Sequence, residues 1–299
     1  MPQGNIGELA AVATAISWTL VGLFFSQASK RIGSVSVNFY KLIFGFTMLS
    51  ITAYFVRGVA FPVDATLNNW IWLAMSGVVG FFLGDYFMLK AYVEVGVRVS
   101  MLMMASSPPM AALLGFIFLS ERLPSSALLG MLMTISGIVL VILSKDKEQG
   151  RMRVRYSIKG LTYAFIGAFG SAAGMVFSKV GLGDYNTMAA TQIRIIAGFI
   201  CFVIFVTVRK DWKNLRSAIK DRTALKYTFL GSIFGPFIGV NLSLVALKYT
   251  STGIVSTITS MTPVTIIPFS IVLFKEKIKP REIFGALLSV SGVAILLLM

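Results

Sequence analysis

Residues 80–143, GFFLGDYFMLKAYVEVGVRVSMLMMASSPPMAALLGFIFLSERLPSSALLGMLMTISGIVLVIL, occur in the chain a second time, 155 residues further on. At that constant offset Gly80, Gly84, Ala91, Pro108, Glu121, Gly130 and Gly137 fall on Gly235, Gly239, Ala246, Pro263, Glu276, Gly285 and Gly292. Each copy reads as an apolar helix, a short turn, a second helix broken near a proline, a Glu-Arg or Glu-Lys turn, and a third helix ending in Ile, Val and Leu. The duplication also reaches upstream. Gly22, Phe25 and Ser26 match Gly174, Phe177 and Ser178 at an offset of 152, and Lys41 and Gly45 match Arg194 and Gly198 at 153.

The chain is 56% apolar and 13% charged, against about 25% charged residues in a soluble domain. A bilayer core takes about 20 apolar residues per helix. Charge-free runs of that size lie at 9–29, 65–84, 99–120, 123–144, 160–178, 227–247 and 249–274. Three further spans are expected at 36–56, carrying Lys41, at 187–208, carrying Arg194, and at 283–299, which Pro280 can open. The expectation is an all-α integral membrane protein of ten transmembrane helices. It divides into a first five-helix repeat (1–144), a basic linker (145–159) and a second five-helix repeat (160–299). A unit that crosses the membrane five times must enter its second copy from the opposite face. The halves are therefore inverted, related by a pseudo-two-fold axis in the membrane plane, with a central cavity between them. The first apolar run lacks a basic flank and a small-residue cleavage site, so it is expected to remain as a span.

A formal charge of +15 would suggest nucleic acid in a soluble protein, but its distribution points to the membrane. Twenty Lys and Arg fall in the connections on one side of the ten spans and four, Arg57, Arg122, Lys179 and Lys248, on the other. Such a split places the basic loops in the cytoplasm, against anionic headgroups, and both termini outside. No nucleic-acid partner is expected. With one cysteine, Cys201, and no histidine, a zinc site and a Ser-His-Asp or Cys-His catalytic centre are excluded. Neither an enzyme nor a cofactor is expected.

Ionisable side chains inside a span are expensive and point to function. Lys41, Asp85, Lys90 and Arg194 are the four. Asp85 can carry a proton or attract a cationic group, or it can form a structural ion pair with Lys41. Lys41 and Arg194, being repeat equivalents, either snorkel to opposite interfaces or gate opposite sides. Lys90 stands four residues before Glu94 and is expected to pair with it. Ser106-Ser107-Pro108-Pro109 and Ser260-Met261-Thr262-Pro263 interrupt the fourth and ninth spans at matched positions. Pro108 and Pro263 are either working hinges or kinks whose freed carbonyls are satisfied by hydroxyls. Asn241 stands at the repeat position of Tyr86, and Ser256, Thr259, Ser260 and Pro263 share a helix face. The glycines at 77, 80 and 84 and at 231, 235 and 239 line helix faces suited to close packing.

Two copies of five spans resemble the EamA-type branch of the drug/metabolite transporter superfamily. Each copy has a proline in its fourth helix, followed by GFIFLSERLP (115–124) or IVLFKEKIKP (271–280) and a glycine-rich last helix. The resemblance implies a ten-helix basket lined by helices one, three, four, six, eight and nine. Carried onto this chain, it points to Trp18, Asp85, Tyr86, Ser106, Ser107, Asn241, Ser256, Thr259 and Ser260 as cavity residues. The function expected is a secondary transporter in the cell inner membrane, working by alternating access. It would move a small-molecule substrate such as an amino acid, a related metabolite or a drug, as an exporter or exchanger. The alternative is a flippase for a lipid-linked intermediate. Membrane lipid is the expected surroundings, and an internal repeat lets a monomer build the whole site.

Overall fold

The computed structural model describes residues 6–119, 125–145, 152–154, 156–239, 242–243, 246, 258–275 and 279–298. The fold is all-α, ten helical spans in two five-span repeats, as the sequence predicts. Spans one and two form one helical element, Ile6–Arg57, broken at Gly33 (φ 78°, ψ 155°). Only glycine takes that conformation without strain, so the turn beside Lys30 and Arg31 needs no loop. Span three runs Leu67–Glu94 and opens on a capping box between Thr66 and Asn69. Span four is two helices, Val97–Met104 and Ser107–Leu119, and span five is Ser125–Ile142.

Leu143–Lys145, at the junction of the first repeat and the expected linker, pairs antiparallel with Met152–Val154 in that linker. Span six, Ile158–Leu182, starts on the Ser157 hydroxyl. Span seven, Thr187–Val208, starts on the Asn186 side chain, which accepts from two backbone N–H groups. A short helix, Trp212–Ala218, precedes span eight, which begins at Arg222 on the Asp221 carboxylate. Span nine is described over Thr262–Phe274 and span ten over Pro280–Leu298.

Inversion shows in the packing. Span three lies on span six and span eight on span one, two seams exchanged by the repeat. Span five lies along span ten through glycines: a Cβ on Gly292 would stand 2.4 Å from the Thr134 nitrogen, and one on Gly137 2.5 Å from the Gly285 carbonyl. Such approach gives the dispersion contact that holds helices together in lipid, where no hydrophobic force acts between them.

Loop contacts sort the connections onto two ends. At the basic end Arg31 pairs with Asp221 (2.9 Å), Lys159 with Glu94 (3.2 Å) and Arg98 with Glu282 (2.6 Å). At the opposite end Arg57 pairs with Asp64 (2.6 Å), which also accepts from the Tyr185 hydroxyl (2.8 Å). These bonds hold the Asp64 carboxyl below its ordinary range, Arg57 contributing most, and burial with the Asp64 bond pushes the Tyr185 phenol up to about 12.

Candidate functional site

In both repeats part of the third or eighth span is wound as a π-helix, at Gly77–Gly84 and Ile233–Gly239. At the 155-residue offset these segments coincide. A π-helix bonds each N–H five residues back instead of four, which widens the backbone, and it is frequent at functional sites. Asp85 is the first residue after the wide segment of span three.

The Lys41 ammonium donates to Asp85 Oδ2 at 2.5 Å and to Asn38 Oδ1 at 2.9 Å, with the Phe25 ring 5.7 Å away. The pair is lopsided: the Lys41 side chain is 7% exposed and that of Asp85 36%. Lys41 is the sealed member and Asp85 the reachable one. A carboxylate with one side open can exchange its partner for a proton or a cationic group, which a fully enclosed pair cannot do.

Arg194 has no such partner. Its guanidinium lies over the Phe81 ring, 4.4 Å to the centroid, and its Nε is buried without a hydrogen bond. Among the described residues no carboxylate stands within ion-pair distance of it. A cation in mid-span costs about 2.5–3.5 kcal/mol on insertion scales, and a ring contact returns about 0.5–2 kcal/mol. The ring does not cover the cost. Span three makes room for this residue: a Cβ on Gly77 would fall 2.1 Å from the Arg194 carbonyl, and one on Gly80 3.6 Å from its Nη2.

Lys90 corrects one expectation. It does not pair with Glu94, which binds Lys159 from span six. Its ammonium stands over Tyr86 (4.5 Å) and Tyr163 (5.2 Å). The tertiary carboxylate-to-Lys159 contact displaces the local four-residue pairing, and two phenol faces hold the lysine instead.

At the helix breaks, Ala105 and Ser106 make short backbone turns and the Ser106 hydroxyl donates to the Met103 carbonyl (2.6 Å). Ser107, buried, then starts a new helix with Pro108 at its second position. In span nine the Thr262 hydroxyl donates to the Thr259 carbonyl (2.7 Å) and Pro263 stands in the first turn of Thr262–Phe274. Both prolines thus begin helices, where a missing N–H is harmless, and the bend comes one turn earlier. Ser260 lies in the turn itself. Thr265, hydrogen-bonded to Thr19 (2.7 Å), ties span nine to span one.

Trp18 packs against the second π-helix, its indole 3.7 Å from where a Cβ on Gly239 would stand. Tyr86 is buried and meets Phe202 and Phe205 of span seven edge-on. Asn241 and Ser256, like the Glu121-Arg122 and Glu276-Lys277 turns, lie outside the described residues. The structure thus joins Lys41 to Asp85 and sets Arg194 beside the same π-helix. Ser106, Ser107 and Ser260 are at the breaks, and Trp18 is on the other π-helix. The π-helices and the Phe81 cover on Arg194 were not anticipated; the only signal was the matched glycine triplet in spans three and eight.

The sequence model of the EamA-like transporter family matches this chain twice, over residues 5–143 and 158–298. The chain belongs to the EamA-like transporter family. An uncharacterized transporter of Archaeoglobus fulgidus is 22% identical to this EamA-family chain over 296 residues, covering 97% of each. A protein solved by crystallography shares the fold, with a TM-score of 0.58 at 16% identity, over 98% of this chain and 96% of its own. Its fold and family make this EamA-family protein a multi-pass membrane transporter.

Proposed function

We propose that the protein is a secondary transporter that moves small metabolites, amino acids or related solutes or drugs, across the inner membrane by alternating access, as an exporter or exchanger. The observation that carries this reading is the Lys41–Asp85 pair, with a sealed cation and a half-open carboxylate immediately after a π-helix. In the proposed cycle Asp85 exchanges Lys41 for a proton or for a cationic group of the solute. The two halves then rock about the breaks ahead of Pro108 and Pro263. The matched breaks and π-helices support the rocking, because each supplies a backbone element with two ways to hydrogen-bond.

The test is flux in proteoliposomes with and without an imposed proton gradient. Asp85→Asn cannot ionise, so gradient-driven flux is expected to fall to the level of exchange without a gradient. Gradient dependence equal to that of the unaltered protein would remove Asp85 from coupling.

A further inference from the structure

We propose that Arg194 is an anion subsite, its guanidinium receiving the carboxylate or phosphate group of the transported solute. The inference rests on the transporter reading above and names the charge of its substrate.

The repeat supplies the first argument. Lys41 and Arg194 are counterparts, but the counterpart of Asp85 at the 155-residue offset is Val240. The second half keeps the cation and lacks the carboxylate. The structure supplies the second. Phe81 covers one face of the guanidinium and Nε is buried without a partner. The ring occupies the face and leaves the in-plane N–H donors unused. Those donors form the fork that grips a carboxylate or phosphate through two parallel hydrogen bonds.

Charge supplies the third. Asp85 is held by Lys41, so that pair is neutral and Arg194 adds one positive charge. Lys90, over Tyr86 and Tyr163, adds another. A half-buried cation with no carboxylate partner among the described residues is held in a membrane span against its own cost. An anionic group on the cargo supplies the missing charge. Gly80 lets span three pass close to the guanidinium, a Cβ there standing 3.6 Å from Nη2.

The experiment is thermal unfolding of the full-length protein in detergent with inorganic phosphate, with acetate, and with acetamide as the uncharged analogue, at matched ionic strength. A ligand of the native state raises the midpoint with saturation. Saturable stabilisation is expected from phosphate or from acetate, which tells the two sources apart, and none from acetamide. Arg194→Gln is expected to lose the shift, and Arg194→Lys, a point charge without the fork, to keep less than half. Equal shifts in the unaltered protein and Arg194→Gln, or no anion shift, would overturn the subsite.

Should Arg194→Gln fail to fold, the unaltered protein decides. Phenylglyoxal modification of Arg194, read by peptide mass spectrometry, is expected to slow at least threefold with the stabilising anion, and no protection overturns the proposal. Arg194-dependent anion binding without solute flux in liposomes would support the subsite and count against the transporter reading. Flux of neutral or cationic solutes that Arg194→Gln leaves unchanged, with no anion shift, would do the reverse.

Discussion

The seam between spans three and six and the seam between spans eight and one are the same seam in the two repeats, yet they are built differently. In the first, Gly170 and Gly174 meet Gly84 and Gly80 backbone to backbone: a Cβ on Gly170 would stand 2.7 Å from the Gly84 Cα and 2.9 Å from the Val79 carbonyl. In the second, the counterpart of Gly170 at the 152-residue offset is Trp18, and the glycines of span eight face side chains. A Cβ on Gly235 would meet Val21 at 3.2 Å and the Trp18 indole at 4.0 Å. One seam is closed on its backbones and the other is held apart by an indole. Duplication supplied the symmetry, and a single Gly-to-Trp difference shows where the two copies have separated in role.

The largest effect expected from this contrast is at the closed seam. Gly170→Ala has only backbone to push against, so it should destabilise by about 3 kcal/mol, the upper end of overpacking costs. Gly235→Ala meets the ends of a flexible valine and an indole edge, and should cost less than about 1 kcal/mol. Thermal unfolding of both variants in one detergent measures the difference. Equal losses would mean the two seams are equally tight, and the contrast would be gone.

The cations form the second contrast. Lys41 is sealed against Asp85 and Asn38, whereas Arg194 has a ring and no carboxylate. Removing one member of a buried pair costs about 3–5 kcal/mol. Because Asp85 is open to solvent on one side, about 2 kcal/mol is the expected loss for Lys41→Met after screening. Arg194→Met removes a half-buried charge with no ion-pair partner among the described residues, so stability should hold or rise. The order of the two midpoints is the readout, and a larger loss at Arg194 would make it the structural cation and Lys41 the expendable one.

Much of the fold was legible because glycine and proline punctuate each repeat at constant offsets. Gly84 and Gly137 mark seats where a Cβ would press on a neighbouring backbone, Pro108 marks a helix start, and a duplicated chain keeps those seats. The sorting of Lys and Arg between connections gave the alternation of ends, which the Arg31–Asp221 and Tyr185–Asp64 contacts bear out. The site was less legible. Lys41 and Asp85 were recognisable as charges too costly to leave alone, and their pairing was one of two readings. That Arg194 is left over could not be read, since pairing depends on which faces meet across spans. The π-helices were hidden because bonding five residues back leaves no mark beyond the glycine triplets, which read equally well as packing faces. Lys90 went the other way: the four-residue rule pointed to Glu94, and a lysine 65 residues distant took it.

The smallest effect separates the two ends of the molecule. Asp64 and Asp221 both have carboxyls held below the ordinary range. For Asp64 the Arg57 and Tyr185 bonds are responsible, and for Asp221 the Ala224 backbone N–H comes first and Arg31 second. A carboxyl depressed in the folded state adds stability that is fully present above its unfolded value, about 3.9. It is lost as pH falls through the folded value. Both contributions should therefore be intact at neutral pH and fade below about pH 4. Asp64→Asn and Asp221→Asn should flatten the acid limb of the stability curve and barely move the midpoint at pH 7. Salt should distinguish them. Arg57 is the main bond on Asp64, so screening should weaken that contribution more, whereas the capping bond from Ala224 to Asp221 is a neutral donor at contact distance and resists it. The acid limb of Asp221→Asn should thus stay distinguishable from the unaltered protein in high salt, while that of Asp64→Asn merges with it. Equal salt sensitivity at both positions would mean that the cap contributes less at the basic end than Arg31 does.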